Sequence, residues 1–544
     1  MPRGLQRLAT DPRVPWLLAL LALAFGVPAA LGDHYLGDEG LLSWCFAAML
    51  REEPLAVFFW LKSRPPLALL QAPFAELGAR AHAVMHVLLG AFALPMLAAV
   101  ARAAGQRSPN LAPTLLLLSP LWLACGPAAV SNSDALTGLV LVLYLWRVRG
   151  RPAVAGALLG ALILIRAELV IVAVGLALVA LVAKRGSPDR ARSLALAAPL
   201  LPALYALAGA LYHRDLLWPL RYPPALAAPP AVGLFHAHGY AAGLGDAALA
   251  LLALCPFIVL FPGLRASRLP PFERLAALLV LLYLLAIRGL PALGLFNFDS
   301  SPRYLLPCLP LLALALARGL EGWPQGQDHG RTTTLALAAA LLTGHHIAQS
   351  GGGPALLLAV AAAALALLLV RAGPRLARLA LPGLLLCAAL ALPALLPATR
   401  LQLRPEIRPI EAYLLATPEL QSDRLIVTNI AVLGLRLARR GLRPPDSFLL
   451  HLDQVHEIDA LTAAANGQRR AIWSALQRRF YAPPLRPADV DRQLRGRRVL
   501  FILADDPRLP GALPPARWWP RLTERWSSGS AFIATYDPQQ PPSP

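Results

Sequence analysis

Side chains that could move a proton or hold a phosphate recur in short stretches between long apolar runs. Asp38 and Glu39 come first, in GDEGLLSWCF, and Lys62 and Arg64 follow in LKSRPPL. Asp134 stands in SNSDALTG, and Arg166 and Glu168 in LIRAELVI. His236 and His238 lie in GLFHAHGY, and Asp299, Arg303 and Tyr304 in NFDSSPRYLLP. A carboxylate serves as general base or cation ligand. A guanidinium presents a planar fork that matches a phosphate. Together these residues suit proton transfer or cation binding by the acids and the holding of a phosphate by the cations.

Each residue also has a plainer reading. Asp38 and Glu39 suit the first turn of an interfacial helix, and Asp134 suits a helix N-cap. Arg166 and Glu168 fit a local ion pair at a turn. Lys62 and Arg64 fit lipid headgroup contacts, and Arg303 fits a snorkelling side chain. His236 and His238 share one face of an extended loop but lack a third ligand for a metal. His82 and His86, four apart, share a helix face and fit an interfacial pair better than a metal site. HLDQVHEID (451–459) reads as a solvated helix face.

The elements that must position these residues are membrane spans. Of 544 residues, 57% are hydrophobic and only 15% charged, against ~25% charged in soluble domains. Mean hydropathy is +0.56. The net charge of +20 therefore points to Arg-rich cytoplasmic loops, not to nucleic acid. Lysine occurs only at Lys62 and Lys184, a bias that fits a GC-rich bacterial genome. The scattered cysteines form no CxxC and no disulfide framework. The N-terminal VPWLLALLALAFGVPAALG is expected to be an uncleaved first span rather than a leader.

A span needs ~20 apolar residues. Thirteen are expected, at 14–32, 81–101, 111–129, 134–146, 153–165, 167–183, 194–212, 246–264, 275–295, 304–320, 333–349, 354–370 and 378–397. Basic connections alternate with connections that carry little positive charge. The positive-inside rule then puts the N-terminus in the cytoplasm. The loop at 33–80, the turn at Arg166–Glu168, and the loops holding His236, His238 and Asp299 fall outside. An odd span number places residues 400–544 outside too. There RLIVTNIAVL, SFLL, RRVLFILA and SAFIATY read as short strands around a helical QVHEIDALTAAANGQRRAIWSALQRRF. The expected fold is thus an all-α polytopic membrane domain (1–399) and a small extracytoplasmic α/β domain (400–544) with a disordered end at DPQQPPSP.

In order along the chain come one N-terminal span, an outside Asp38–Glu39, KSRPPL, SPLWLACGPAAVSNSDAL, LIRAELVI and SPRYLLPCLP. This order resembles the GT-C superfamily of integral-membrane glycosyltransferases. It is most similar to the protein-mannosyltransferase and aminoarabinose-transferase-like group, over roughly residues 14–320. The resemblance implies a polyprenyl-phosphate sugar donor. It makes Asp38 the acidic catalytic residue, as base or ligand of a divalent cation such as Mg²⁺ or Mn²⁺, with Glu39 its competitor. It assigns Arg303 and Tyr304 to the donor phosphate, with KSRPP a looser match, and Asp134 to an acidic position opening the fourth span. FNFDSSPRY departs from the more polar sequence of related branches, which leaves the acceptor open.

The sequence therefore predicts a glycosyltransferase of a bacterial cytoplasmic membrane. It would take a sugar from a polyprenyl phosphate on the periplasmic side and pass it to a lipid, glycan or protein. Its alternatives are a transporter or flippase of a lipid-linked sugar, or a membrane scaffold. Transporters tend to carry repeated halves and broken midplane helices; no repeat is visible here.

Overall fold

The computed structural model describes residues 8–32, 38–59, 63–182, 188–221, 251, 254–255, 258, 269–292, 302–322, 407–418, 425–428, 447–449, 496–504, 522–528 and 531–537. The chain divides into two compact units. One comprises Met1–Ser43, Phe59–Ala227 and Ala237–Leu401; the other comprises Trp44–Phe58, Ala228–His236 and Gln402–Pro544.

The first unit is helical. Its described helices of six residues or more are α1 (Val14–Leu31), α2 (Asp38–Met49, whose last turns belong to the second unit), α3 (Pro65–Glu76), α4 (Ala79–Ala103), α5 (Leu111–Leu117), α6 (Pro120–Cys125), α7 (Ser131–Arg147), α8 (Pro152–Ile165), α9 (Val170–Val182), α10 (Pro188–Ala197), α11 (Leu200–His213), α12 (Pro271–Ala292) and α13 (Leu309–Gly322). Short 3₁₀ turns at Ala167–Leu169 and Pro302–Cys308 precede α9 and α13. Prolines begin many of these helices because a first-turn N–H has no intrahelical acceptor to lose. With 25 residues, α4 is about 37 Å long, enough to cross a bilayer.

Among the described residues, four segments are long and apolar enough to span: Val14–Leu31, Ala79–Ala103, Arg192–His213 and Pro302–Glu321. Burial separates centre from rim. The Pro302–Glu321 segment is 78% buried, against 33% for Val14–Leu31 and 28% for Arg192–His213. A helix apolar on every side belongs inside a bundle or in lipid; α13 takes the first place and α1 and α11 the second. Neighbours close in through small residues, as in membrane bundles. Gly26 of α1 lies against Val87 of α4, and Gly175 of α9 against Leu279 of α12.

Two expected spans differ in form. The run 111–129 is broken, because Pro120 pushes Ser119 out of the helical region (φ −82°, ψ 111°). Ser119 Oγ then accepts the Trp122 N–H at 3.1 Å and caps α6. The run 194–212 starts earlier, at Pro188, and breaks at Ala198–Pro199 between α10 and α11. The expected spans 333–349, 354–370 and 378–397, and most of 246–264, lie outside the described residues.

In the second unit, α14 (Ile407–Ala416) accompanies a five-stranded sheet of order β2-β1-β3-β5-β4. The strands are β1 (Leu425–Thr428), β2 (Ser447–Leu449), β3 (Val499–Ala504), β4 (Leu522–Ser528) and β5 (Ala531–Tyr536). β1 pairs in parallel with β2 and β3, whereas β5 is antiparallel to β3 and β4. Val499, Leu500, Phe501 and Ile502 are all fully buried, so β3 is covered on both faces, which explains its unbroken apolar run. Four strands fall in the four stretches read from sequence. β4, LTERWSS, was not expected: it is a polar edge strand with an irregularity between Glu524 and Trp526.

Candidate active site

The candidate site forms around the N-terminal turn of α7. Four polar residues open this helix, and Ser131, Asn132, Ser133 and Asp134 are all buried. A transmembrane helix does not bury such a run without partners or a use. Val130 occupies the N-cap, so Asp134 is not the cap. It stands in the first turn, where the helix dipole favours its negative charge.

The first set of partners comes from the α8–α9 turn. Arg166 leaves the helical region (φ −143°, ψ 106°) and pairs with Glu168, Nε to Oε1 at 2.7 Å. Both are buried. Arg166 Nη1 donates to Ser131 Oγ at 3.3 Å, and Asn132 Nδ2 donates to Glu168 Oε1 at 3.5 Å. The ion pair is therefore fastened to α7 as well as being local. The Arg166 guanidinium lies 4.7 Å from the Tyr304 ring centroid, and that of Arg303 lies 5.5 Å from the same ring. Tyr283 of α12 donates to the Tyr304 carbonyl at 2.8 Å and holds the turn that carries both residues.

The second set comes from α4, α3 and α2. His86 Nδ1 lies 2.8 Å from Asp134 Oδ2. His86 Nε2 is 2.9 Å from Gln71 Nε2 and 3.4 Å from His82 Nε2. Gln71 Oε1 accepts from Ser43 Oγ at 2.9 Å. His82, His86, Gln71 and Ser43 are buried, so the expectation of an interfacial histidine pair is corrected. The pair faces the bundle interior because Asp134 and Gln71 offer it polar partners there.

Asp38 and Glu39 form the first turn of α2; their side chains lie outside the described residues. The backbone position is informative. Gly40 lies against the Ala128 carbonyl so closely that a Cβ would collide with it. That carbonyl belongs to the turn before α7, which passes through Ala129 in the left-handed region (φ 54°). The start of α2 is thus seated beside the start of α7. Arg64 is also left-handed (φ 56°, ψ 65°) at the N-cap of α3, a conformation costing about 1–2 kcal/mol. It turns the chain into the Pro65–Pro66 helix that carries Gln71.

The structure therefore brings together Asp134, Arg166, Glu168, Arg303, Tyr304 and the backbone of Asp38–Glu39. Lys62, His236, His238 and Asp299 lie outside the described residues. Gln71, His86 and Ser43 were missed. Their signal was a glutamine inside apolar PPLALLQAPF and a histidine pair inside a span. Among the described residues no three His, Cys, Asp or Glu side chains converge on a metal position.

No protein-family model and no curated protein sequence matches the chain. Two crystal structures of ArnT from Cupriavidus metallidurans share its fold. The one bound to undecaprenyl phosphate aligns with TM-score 0.56 and 15% identity, over 96% of this chain and 98% of that one. The apo structure aligns with TM-score 0.55 and 15% identity, over 96% and 97%. The likeness is one of fold, and it agrees with the aminoarabinose-transferase-like resemblance carried by the motifs.

Proposed function

We propose that this protein is a glycosyltransferase of a bacterial cytoplasmic membrane, transferring a sugar from a polyprenyl phosphate at the periplasmic face. One observation carries the reading. Arg166, Glu168, Arg303, Tyr304 and Asp134 are distant in sequence yet gather at one end of the bundle, in a fold shared with a protein bound to undecaprenyl phosphate.

The chemistry follows from these parts. An acceptor hydroxyl attacks the anomeric carbon, the C–O bond to phosphate breaks, and the electron pair leaves with the phosphate. Arg303 and Arg166 stabilise that developing charge, with Lys62 and Arg64 at the loop that leads in. The hydroxyl proton passes to a carboxylate at the start of α2, Asp38 first and Glu39 second. The described residues do not assemble a divalent-cation site, so no step is assigned to one. The acceptor is a lipid, a glycan or a protein.

The test uses the full chain in nanodiscs with a polyprenyl-phosphate sugar donor and membrane extract as acceptor. Release of polyprenyl phosphate with sugar on the acceptor is expected. Movement of intact donor across a bilayer without bond cleavage would make the protein a flippase instead. Reporter fusions after residue 400 should show periplasmic activity; cytoplasmic activity there would overturn the assigned face.

A further inference from the structure

We propose that His86 is a positioning residue for the transfer reaction: it orients the Asp134 carboxylate and couples it through Gln71 to Ser43, on the helix that Asp38 and Glu39 begin. The proposal rests on the glycosyltransferase reading and names a device inside that site.

Hydrogen-bond directions define the device. His86 Nδ1 and Asp134 Oδ2 lie 2.8 Å apart, a contact made by proximity and not by hydrogen-bond alignment. Gln71 Nε2 can only donate, so at 2.9 Å His86 Nε2 must accept. Gln71 Oε1 accepts in turn from the Ser43 hydroxyl at 2.9 Å. The hydrogen bonds from Ser43 to Gln71 and from Gln71 to His86 Nε2 therefore run toward the ring whose Nδ1 meets Asp134. Four helices, α2, α3, α4 and α7, each supply one member.

A merely structural series would end in a satisfied acid. Asp134 is only 7% exposed, yet neither Oδ1 nor Oδ2 has a hydrogen-bond partner among the described residues. A buried carboxylate oxygen without a partner is costly. With Oδ2 set against the His86 ring, the acid is held so that Oδ1 can accept from a hydroxyl of the bound sugar or acceptor. At the other end Ser43 lies one helical turn after Glu39. The same series that aims Asp134 thus fixes the rotation of the helix bearing the proposed base.

The experiment compares parent, His86→Leu, His86→Asn, Gln71→Leu and Ser43→Ala as full chains in nanodiscs. Three readouts are taken: transfer turnover, affinity for undecaprenyl phosphate, and melting temperature. His86→Leu is expected to lower turnover about 10²-fold, the cost of a misplacement near 1 Å, with undecaprenyl phosphate affinity within about twofold of the parent. Asn keeps an N–H near the Nδ1 position, so His86→Asn should recover most of the turnover. Losses should rank His86→Leu, Gln71→Leu, Ser43→Ala. Unchanged turnover in His86→Leu, or turnover, affinity and melting temperature falling together, overturns the proposal. Should His86→Leu not fold, Gln71→Leu and the ¹⁵N-histidine spectrum of the parent decide. A ring with its proton on Nδ1 is expected at His86, and an Nε2–H ring overturns the series. A parent that binds no undecaprenyl phosphate and transfers no sugar refutes the glycosyltransferase reading itself, whichever tautomer is found.

Discussion

At one end of α4, His86 meets Asp134; just beyond the other end, Gln106 meets Glu273. Both ends bury polar groups in an apolar bundle, and they do so differently. At the Gln106 end, its Nε2 donates to the Leu314 carbonyl at 3.0 Å and approaches Glu273 Oε1 at 3.4 Å. Arg318 pairs with Glu321 at 2.9 Å and donates to the Gly105 carbonyl at 3.2 Å, while Glu321 also accepts the Ser108 N–H at 2.5 Å. These groups tie helix ends to one another: the α4–α5 connection, the start of α12 and the end of α13. Burial pushes the Glu273 carboxyl up from its ordinary value, more than the Gln106 hydrogen bond and Arg318 draw it down. At the α7 end, two guanidiniums face one tyrosine ring and the neighbouring acid keeps an unpartnered oxygen. The difference sets a cluster that clamps helix ends apart from the cluster proposed to receive an anion and a hydroxyl.

Substitutions at the two ends should separate accordingly. The largest effect is expected for the acids opening α2. Loss of a group that meets the reacting atoms costs about 10²–10³ in rate, so Asp38→Asn should lose that much transfer while inserting and melting like the parent. A capping role predicts the opposite, because Asn caps helices as well as Asp. If Glu39→Gln alone fails, the site stands and the base is Glu39.

A smaller effect is expected at Arg303. Hydrogen bonds to charged groups contribute about 1.5–3 kcal/mol, so Arg303→Ala should weaken undecaprenyl phosphate binding roughly tenfold to a hundredfold. Arg303→Lys should not restore it, because an ammonium lacks the planar fork. Parent-like affinity and turnover in Arg303→Ala would remove this residue from the site.

The smallest effect on transfer is expected at Glu273. Glu273→Gln should turn over like the parent. A carboxyl raised by burial contributes stability that is present at acid pH and lost as pH rises through its raised value. The parent's melting temperature should therefore decline above the ordinary glutamate range, and Glu273→Gln should flatten that decline. A large loss of turnover in this variant would contradict the division into clamp and site.

Much of this arrangement was legible in the sequence, for particular reasons. Spans announce themselves by length and apolarity, so α1 and α4 were read almost to the residue. Arg166, Glu168 and Arg303 stood out because charge within apolar sequence is expensive, and Tyr304 stood out through the Arg-Tyr pair of the family resemblance. The strand β3 was visible as VLFILA, whereas polar β4 gave no apolar signal and depends on its pairing with β5. The break at Ser119 was written in the following proline but hidden by the hydropathy of 111–129. The His86–Gln71–Ser43 series was only faintly legible, as a glutamine and a histidine pair inside apolar runs, because only the packing of four helices unites its members. The same holds for Asp134, whose choice between cap and site depends on Val130 taking the cap.

The central claim is that the α7 end of the bundle receives the phosphate of a polyprenyl donor. A cryo-EM map of the full chain in nanodiscs with undecaprenyl phosphate tests it most directly. The account predicts phosphate density within hydrogen-bonding reach of Arg303 or Arg166, beside Tyr304 and the first turn of α7. Phosphate density at the Gln106–Arg318 end instead, or saturating ligand with none near Tyr304, would contradict it.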